Sequence, residues 1–200
     1  TWPTLNALKR RWPGAKIHLL VRERFKDAAF AAESCGFQVH TLKTAQFLSP
    51  IVTGSPFENS IELMTEFFEE LKAVGFDKIV NLSFSPFSSF LVDFVREEGC
   101  EVSGYCRHSD GYLAIPDDSS AYFYAQVGVG GPNRFHVTEI FAAVAEVELI
   151  ENDFYLPNMN VAKSSSIVVH LGASQRLKAY PPEMWQQVVE GLASLGRPLI

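Results

Sequence analysis

Apolar and polar positions along this chain switch repeatedly between a helical period and short apolar runs. Trp2, Leu5, Leu8 and Trp12 recur at helical spacing up to Pro13-Gly14, which predicts a first helix. Lys16 to Val21 reads as a strand, Phe25 to Ser34 as a helix closed by Gly36, and Phe37 to Leu42 as a second strand. Ser49-Pro50 and Thr53-Gly54-Ser55-Pro56 predict a loop across 44–56. Ile61, Met64, Phe67, Phe68 and Leu71 then mark a strongly amphipathic helix ended by Gly75.

A third strand is expected over 77–83, turning polar at Asn81 and Ser83, followed by a helix from Phe87 to Val95 and a short strand from Glu101 to Tyr105. Residues 107–133, rich in Gly, Asp, Ser and Tyr, read as irregular, and Phe135 to Leu149 as a helix. A linker over 152–163 separates this part from an apolar run at Ser166 to Leu171, a loop over 172–182 and a helix from Glu183 to Leu195. Strands alternating with helices predict an α/β fold with doubly wound parallel sheets, and the apolar runs at 17–21 and 167–169 read as buried central strands. In such folds ligands sit beyond the carboxyl ends of the strands, so the residues that follow each strand carry the most functional information.

Composition supports a folded chain. Of the 200 residues 47% are hydrophobic and 20% charged, outside the range of disordered sequences. No run approaches the ~20 apolar residues that cross a bilayer. The chain opens at Thr1 without Met, directly in a helix, and stops where an apolar strand begins, which predicts an internal piece of a longer protein. Three cysteines, Cys35, Cys100 and Cys106, form no CxxC pair; neither a disulfide framework nor a zinc site is expected, and a reducing, cytoplasmic setting follows. Cys35 and Cys100 read as small core hydrophobes.

The net charge of −6 is unevenly distributed. Residues 1–43 carry eight Lys and Arg against three acids, whereas residues 44–158 carry five against eighteen. The basic opening, with Lys9, Arg10 and Arg11, suits either a face for anionic lipid or phosphorylated ligands or the dipole at a helix end. An acidic pI of about 5.4 argues against nucleic acid as a partner.

Candidate chemistry concentrates where Ile167-Val168-Val169-His170 runs into Gly172-Ala173-Ser174 and Lys178, ahead of the next helix. Gly172 and Ala173 allow close backbone approach, Ser174 can donate to a phosphate oxygen, and Lys178 can neutralise its charge, a set that suits a diphosphate. The same spacing also suits an ordinary strand–loop–helix junction. It is neither a Walker A loop nor GxGxxG. Asn81, Ser83 and Ser85, past a strand end, could bind a sugar hydroxyl or cap the next helix. Arg107 and His108 suit an acceptor phosphate or carboxylate, or plain surface. His136 is a candidate catalytic group or a structural hydrogen-bonder at a helix start, and His170 reads as a satisfied core residue. Asp117-Asp118 reads as a turn rather than a metal site, and Gly128-x-Gly130-Gly131 as a flexible connection.

The pattern Gly172-Ala173-Ser174, three residues, Lys178, one residue, Tyr180-Pro181 and then Trp185 resembles the signature of glycosyltransferase family 9, the bacterial lipopolysaccharide heptosyltransferases. Upstream, Thr1-x-Pro3-x-Leu5-x-x-Leu8 with Pro13, Ala15 and Ile17 is similar to the family's first helix and second strand. Asp77-Lys78-Ile79-Val80-Asn81-Leu82, Gly104-Tyr105 and His136-Val137-Thr138-Glu139 are similar to later family segments in the same order. Leu171 stands where many members have Pro, and Tyr180 where Trp is commoner.

The resemblance implies a GT-B fold of two Rossmann-like domains. Residues 1–157 would be the acceptor domain without its first strand and loop, and 158–200 the beginning of the nucleotide-sugar domain. It implies inverting, metal-independent transfer of a sugar, heptose from ADP-heptose, to a lipopolysaccharide-core or related glycan. The donor is a substrate and no further cofactor is expected. Gly172, Ala173, Ser174 and Lys178 would hold the donor diphosphate, while Asn81, Ser83, Arg107 and His136 would serve the acceptor. The catalytic base, an Asp, would lie before Thr1, and the protein would work in the cytoplasm, peripheral to the inner membrane. Two alternatives stay open: another nucleotide-sugar enzyme on the same fold, or a non-catalytic nucleotide- or sugar-binding Rossmann protein.

Overall fold

The structure, a computed structural model, describes residues 1–54, 56–129, 133–155, 164–173 and 175–200. It is a mixed α/β protein whose chain divides into two compact units, Thr1–Pro157 and Asn158–Ile200.

The first unit opens with α1 (Trp2–Arg11), which carries Pro3 in its first turn and three cations in its last, both favourable to a helix. Strand β1 (His18–Arg22), helix α2 (Lys26–Ser34) and strand β2 (Gln38–Leu42) form a parallel βαβ unit, with His18 opposite Gln38 and Arg22 opposite Leu42. Leu5 of α1, Ala32 of α2 and Phe37 bury one side of this unit, with Trp2 edge-on to Phe37.

The segment read as a loop at 44–56 departs from expectation. Helix α3 (Thr44–Val52) occupies most of it with Pro50 inside. Phe47 is buried and tilts against Phe67 of α4 (Phe57–Lys72), so tertiary burial of one aromatic overrides the turn-forming residues.

Strand β3 (Lys78–Asn81), helix α5 (Pro86–Val95) and strand β4 (Glu101–Gly104) make a second parallel βαβ unit, Lys78 opposite Glu101 and Asn81 opposite Gly104. Ser85 caps α5 by accepting from the Ser88 N–H at 3.1 Å, and Pro86 takes the first helical position. Leu71 of α4 and Leu91 and Val95 of α5 close the core beneath Ile79.

Residues 107–133 are also more regular than their composition suggests. They hold a two-residue antiparallel ladder, β5 (Cys106–Arg107) with β6 (Leu113–Ala114), and helix α6 (Asp118–Val129). Of the glycines read as a flexible connection, Gly128 falls within α6, whereas Gly130 and Gly131 lie outside the described residues. The helix expected from Phe135 to Leu149 is α7 (Val137–Val144), cut short where Glu146 takes a left-handed φ of 57°. That turn lets Glu146 accept from Lys78 Nζ at 2.9 Å and from Ser103 Oγ at 2.8 Å, tying the end of α7 to both strands of the second βαβ unit.

The basic opening is partly spent inside the unit. Lys9 Nζ donates to the Cys35 carbonyl, and Arg10 pairs with Asp153 at 2.8 Å while donating to the Glu148 carbonyl. Cys35 and Cys100 are only half-buried; the buried thiol is Cys106.

In the second unit the run 166–171 is not the buried strand expected from its hydropathy. One parallel bridge joins Ile167 to Leu199, and Val168 remains 75% exposed. His170, read as a core residue, is exposed as well. Leu20 of β1 is 40% exposed, so the first apolar run is not fully covered either. An apolar run becomes buried only when elements pack on both faces, and among the described residues neither run receives that cover. Helix α8 (Pro182–Ala193) follows, again with Pro at its start.

Candidate functional site

The carboxyl ends of β3 and β4 meet at a pocket of about 260 Å³. Phe84, Tyr105 and Tyr124 wall it, Ser85 and Leu113 border it, and Arg107 reaches it from β5. Phe84 stands edge-on to Tyr105 with ring centres 4.7 Å apart and lies 4.9 Å from Tyr124. Such edge-on and tilted aromatic pairs hold one another in place and leave ring surface toward the opening.

Polar groups fix this wall from behind. Tyr105 is buried, and its hydroxyl donates to the Ser120 carbonyl at 3.1 Å. Burial, reinforced by the negative Asp117 nearby, pushes that phenol up to about 12, so it stays a donor across the physiological range. Asp117 accepts the Ser120 N–H at 2.7 Å and the Gly104 N–H at 3.2 Å, which starts α6 and latches it to the end of β4. Gly104 is required here. Its φ is +91°, and a Cβ would stand 2.2 Å from the Asn81 carbonyl oxygen.

Among the described residues Arg107 is the one cation lining the pocket. Its Nη1 donates to the Gly111 carbonyl at 3.1 Å, its guanidinium lies 4.0 Å over the Phe90 ring, and its Nε is buried without a partner among the described residues. An unpaired buried donor on a permanent charge is costly unless a ligand or water completes it. Aromatic faces beside a guanidinium suit a ligand with an apolar ring face and an anionic group.

The residues assigned to an acceptor are only partly brought together. Asn81 lies behind the pocket, buried. Its Nδ2 donates to the Tyr105 carbonyl at 2.8 Å and Ser88 Oγ at 3.2 Å, and its Oδ1 accepts the Ser83 N–H at 3.0 Å. Its side chain thus shapes the strand end. Ser83 is exposed at the same end. His136 does not line the pocket; it caps α7, ring Nδ1 accepting the Thr138 N–H at 3.2 Å while the His136 backbone N–H donates to the Glu139 carboxylate at 2.6 Å. Phe84 and Tyr124 were not singled out from the sequence. The available signal was the density of aromatics after the strand ends, but only packing shows which of them share a wall.

In the second unit, Gly172 and Ala173 follow the Ile167 bridge, while Ser174 lies outside the described residues. A Cβ on Gly172 would meet the His170 ring at 3.3 Å, so this glycine lets the imidazole lie against the turn. Lys178 is exposed on a 3-10 turn, Arg176–Lys178, and its N–H donates to the Gln175 carbonyl. Tyr180 stands edge-on to Trp185 at 5.3 Å, and the Trp185 indole N–H is buried without a partner among the described residues.

Among the described residues no three of His, Cys, Asp and Glu gather as metal ligands, and no helix is long and apolar enough to cross a membrane. No family model matches the chain, and neither a curated protein nor a solved structure does.

Proposed function

We propose that this chain belongs to a metal-independent, inverting glycosyltransferase of the GT-B type, similar to the lipopolysaccharide heptosyltransferases. It would take its acceptor in the first unit and the diphosphate of a nucleotide sugar in the second. The observation that carries the reading is the aromatic pocket with the unpartnered Arg107 Nε at the carboxyl ends of two parallel strands. That is where α/β folds bind ligands, and the lining suits a sugar that bears an anion, as a lipopolysaccharide-core acceptor does.

On this reading Phe84 and Tyr124 offer ring faces to the acceptor sugar and Arg107 orients it through its charge. Asn81, Tyr105 and Asp117 hold these groups still. In the second unit Gly172 and Ala173 let the donor approach the backbone, with Ser174 on a phosphate oxygen. Lys178 neutralises the diphosphate as it departs, which lowers the barrier through stabilisation of leaving-group charge. The donor is ADP-heptose, and the work is done on the cytoplasmic side of the inner membrane.

The test is thermal-shift titration of ADP, UDP, GDP, CDP and NAD against the protein and Lys178→Ala. At a hundredfold excess over Kd a ligand adds about 2.7 kcal/mol of stability. ADP should raise the wild-type Tm and lose most of that effect in the variant. Preference for another nucleoside diphosphate would retain a transferase and change the donor. No response to any of them would overturn the assignment in favour of a binding protein.

A further inference from the structure

Helix α5 presents an aromatic stripe that the core does not consume. Leu91 and Val95 face inward, whereas Phe87, Phe90 and Phe94, spaced at i, i+3 and i+7, are 39%, 55% and 37% exposed. Together with Met64 and Phe68 of α4 they line a groove of about 430 Å³. A helix normally turns such a stripe toward a partner, and contiguous exposed apolar surface marks a binding face.

Charge around the groove narrows the occupant. Lys72 Nζ lies 5.4 Å from the centre of the Phe94 ring, and the Arg107 guanidinium lies 4.0 Å over Phe90. Among the described residues the one acidic lining residue, Asp93, is paired with Arg96 at 2.6 Å. The trough is therefore apolar along its floor, with two cations, Lys72 and Arg107, stacked on its rings. Arg107 lines the aromatic pocket and stacks on Phe90, a residue of the groove. A volume of this size falls in the small-ligand range of ~300–1,000 Å³.

We infer that the α4–α5 groove is a binding site for the hydrocarbon chain of an anionic single-chain amphiphile, whose phosphate or carboxylate head is held by Arg107. The head pairs with the Arg107 guanidinium where it stacks on Phe90, and the chain leaves water against Phe87, Phe90 and Phe94. The site rests on Arg107 as an anion-binding group, and it binds its ligand whether or not the chain transfers a sugar.

Isothermal titration of dodecyl phosphate below its micelle concentration tests this, with inorganic phosphate and dodecyl maltoside as comparison ligands. The wild type should bind dodecyl phosphate at least tenfold more tightly than either. Phe90→Glu, at an exposed position, should keep its Tm and circular dichroism and lose at least tenfold in affinity for dodecyl phosphate; Phe90→Ala should lose less. Arg107→Gln should weaken dodecyl phosphate while leaving dodecyl maltoside unchanged. Equal affinity for inorganic phosphate would make the site a plain anion pocket and overturn the inference. So would undiminished binding in a folded Phe90→Glu protein, or sedimentation showing a wild-type dimer that this variant dissociates. Nucleotide binding is not read in this experiment, so its failure is separate from failure of the Lys178→Ala test.

Discussion

The Asn81 side chain donates to the Tyr105 backbone carbonyl at 2.8 Å, joining the end of β3 to the residue that follows β4. Both residues are buried. The bond crosses from one parallel strand to the next at the point where the pocket begins, and the wall stands on it.

Asn81→Ala removes this bond and the acceptor for the Ser83 N–H. A buried carbonyl left unpaired costs ~1–3 kcal/mol. Urea denaturation should show a loss of that order, with weaker binding at the Arg107 pocket. A variant with unchanged midpoint would show that the amide is dispensable to the strand end.

Gly104→Ala should be more severe. The left-handed φ costs an alanine ~1–2 kcal/mol, and the new methyl meets backbone at 2.2 Å rather than a yielding side chain. Overpacking adds ~1–3 kcal/mol. Expression in folded form, followed by a denaturant midpoint, reads the outcome; a midpoint equal to wild type would refute the close approach.

The pH dependence should carry the mark of His18 and His40. These rings stack across β1 and β2 with Nδ1 and Nε2 2.8 Å apart, so one nitrogen donates and the other accepts. Phe76 stands edge-on to His18. Burial first, then the neighbouring His40 and Lys16, hold His18 below its ordinary value of 6.5; burial holds His40 below it against the opposing pull of Glu70. The unfolded chain therefore binds protons more readily than the folded one. The stability this pair contributes is complete above about pH 6.5 and is lost as pH falls through the lower folded values. Glu146 and Asp153 are lowered as well, by Lys78 and by Arg10, but their contribution disappears only below about pH 4.5. Thermal midpoints should rise from pH 5 to pH 7, and the double variant His18→Gln/His40→Gln should flatten that rise. An equal slope in wild type and variant would assign it elsewhere.

Periodicity and end signals alone were enough to determine α1, α4, α5 and α8. Each is a stretch whose apolar spacing, proline at the start or glycine after the end are local properties, and the two parallel βαβ units followed from strands alternating with helices. Helix α3 and helix α6 were not legible. In α3 the buried contact of Phe47 with Phe67 outweighs Pro50; in α6 the Asp117 cap on the Ser120 N–H is local, but the packing of Phe123 against Tyr105 joins residues far apart in the chain. The burial of 17–21 and 167–169 was overestimated for the same reason: hydropathy describes what a strand can bury, and only the elements packed against it settle what is buried.

The chemistry divides along the same line. Local pattern was enough to place Asn81, Arg107 and Lys178 at or near strand ends, because topology and spacing are written locally. Packing set the rest: Asn81 faces inward, His136 closes a helix, and Arg107 shares one wall with Phe84 and Tyr124 while stacking on Phe90. A pocket is made of side chains far apart in the chain, and their convergence depends on packing distances that no local pattern encodes.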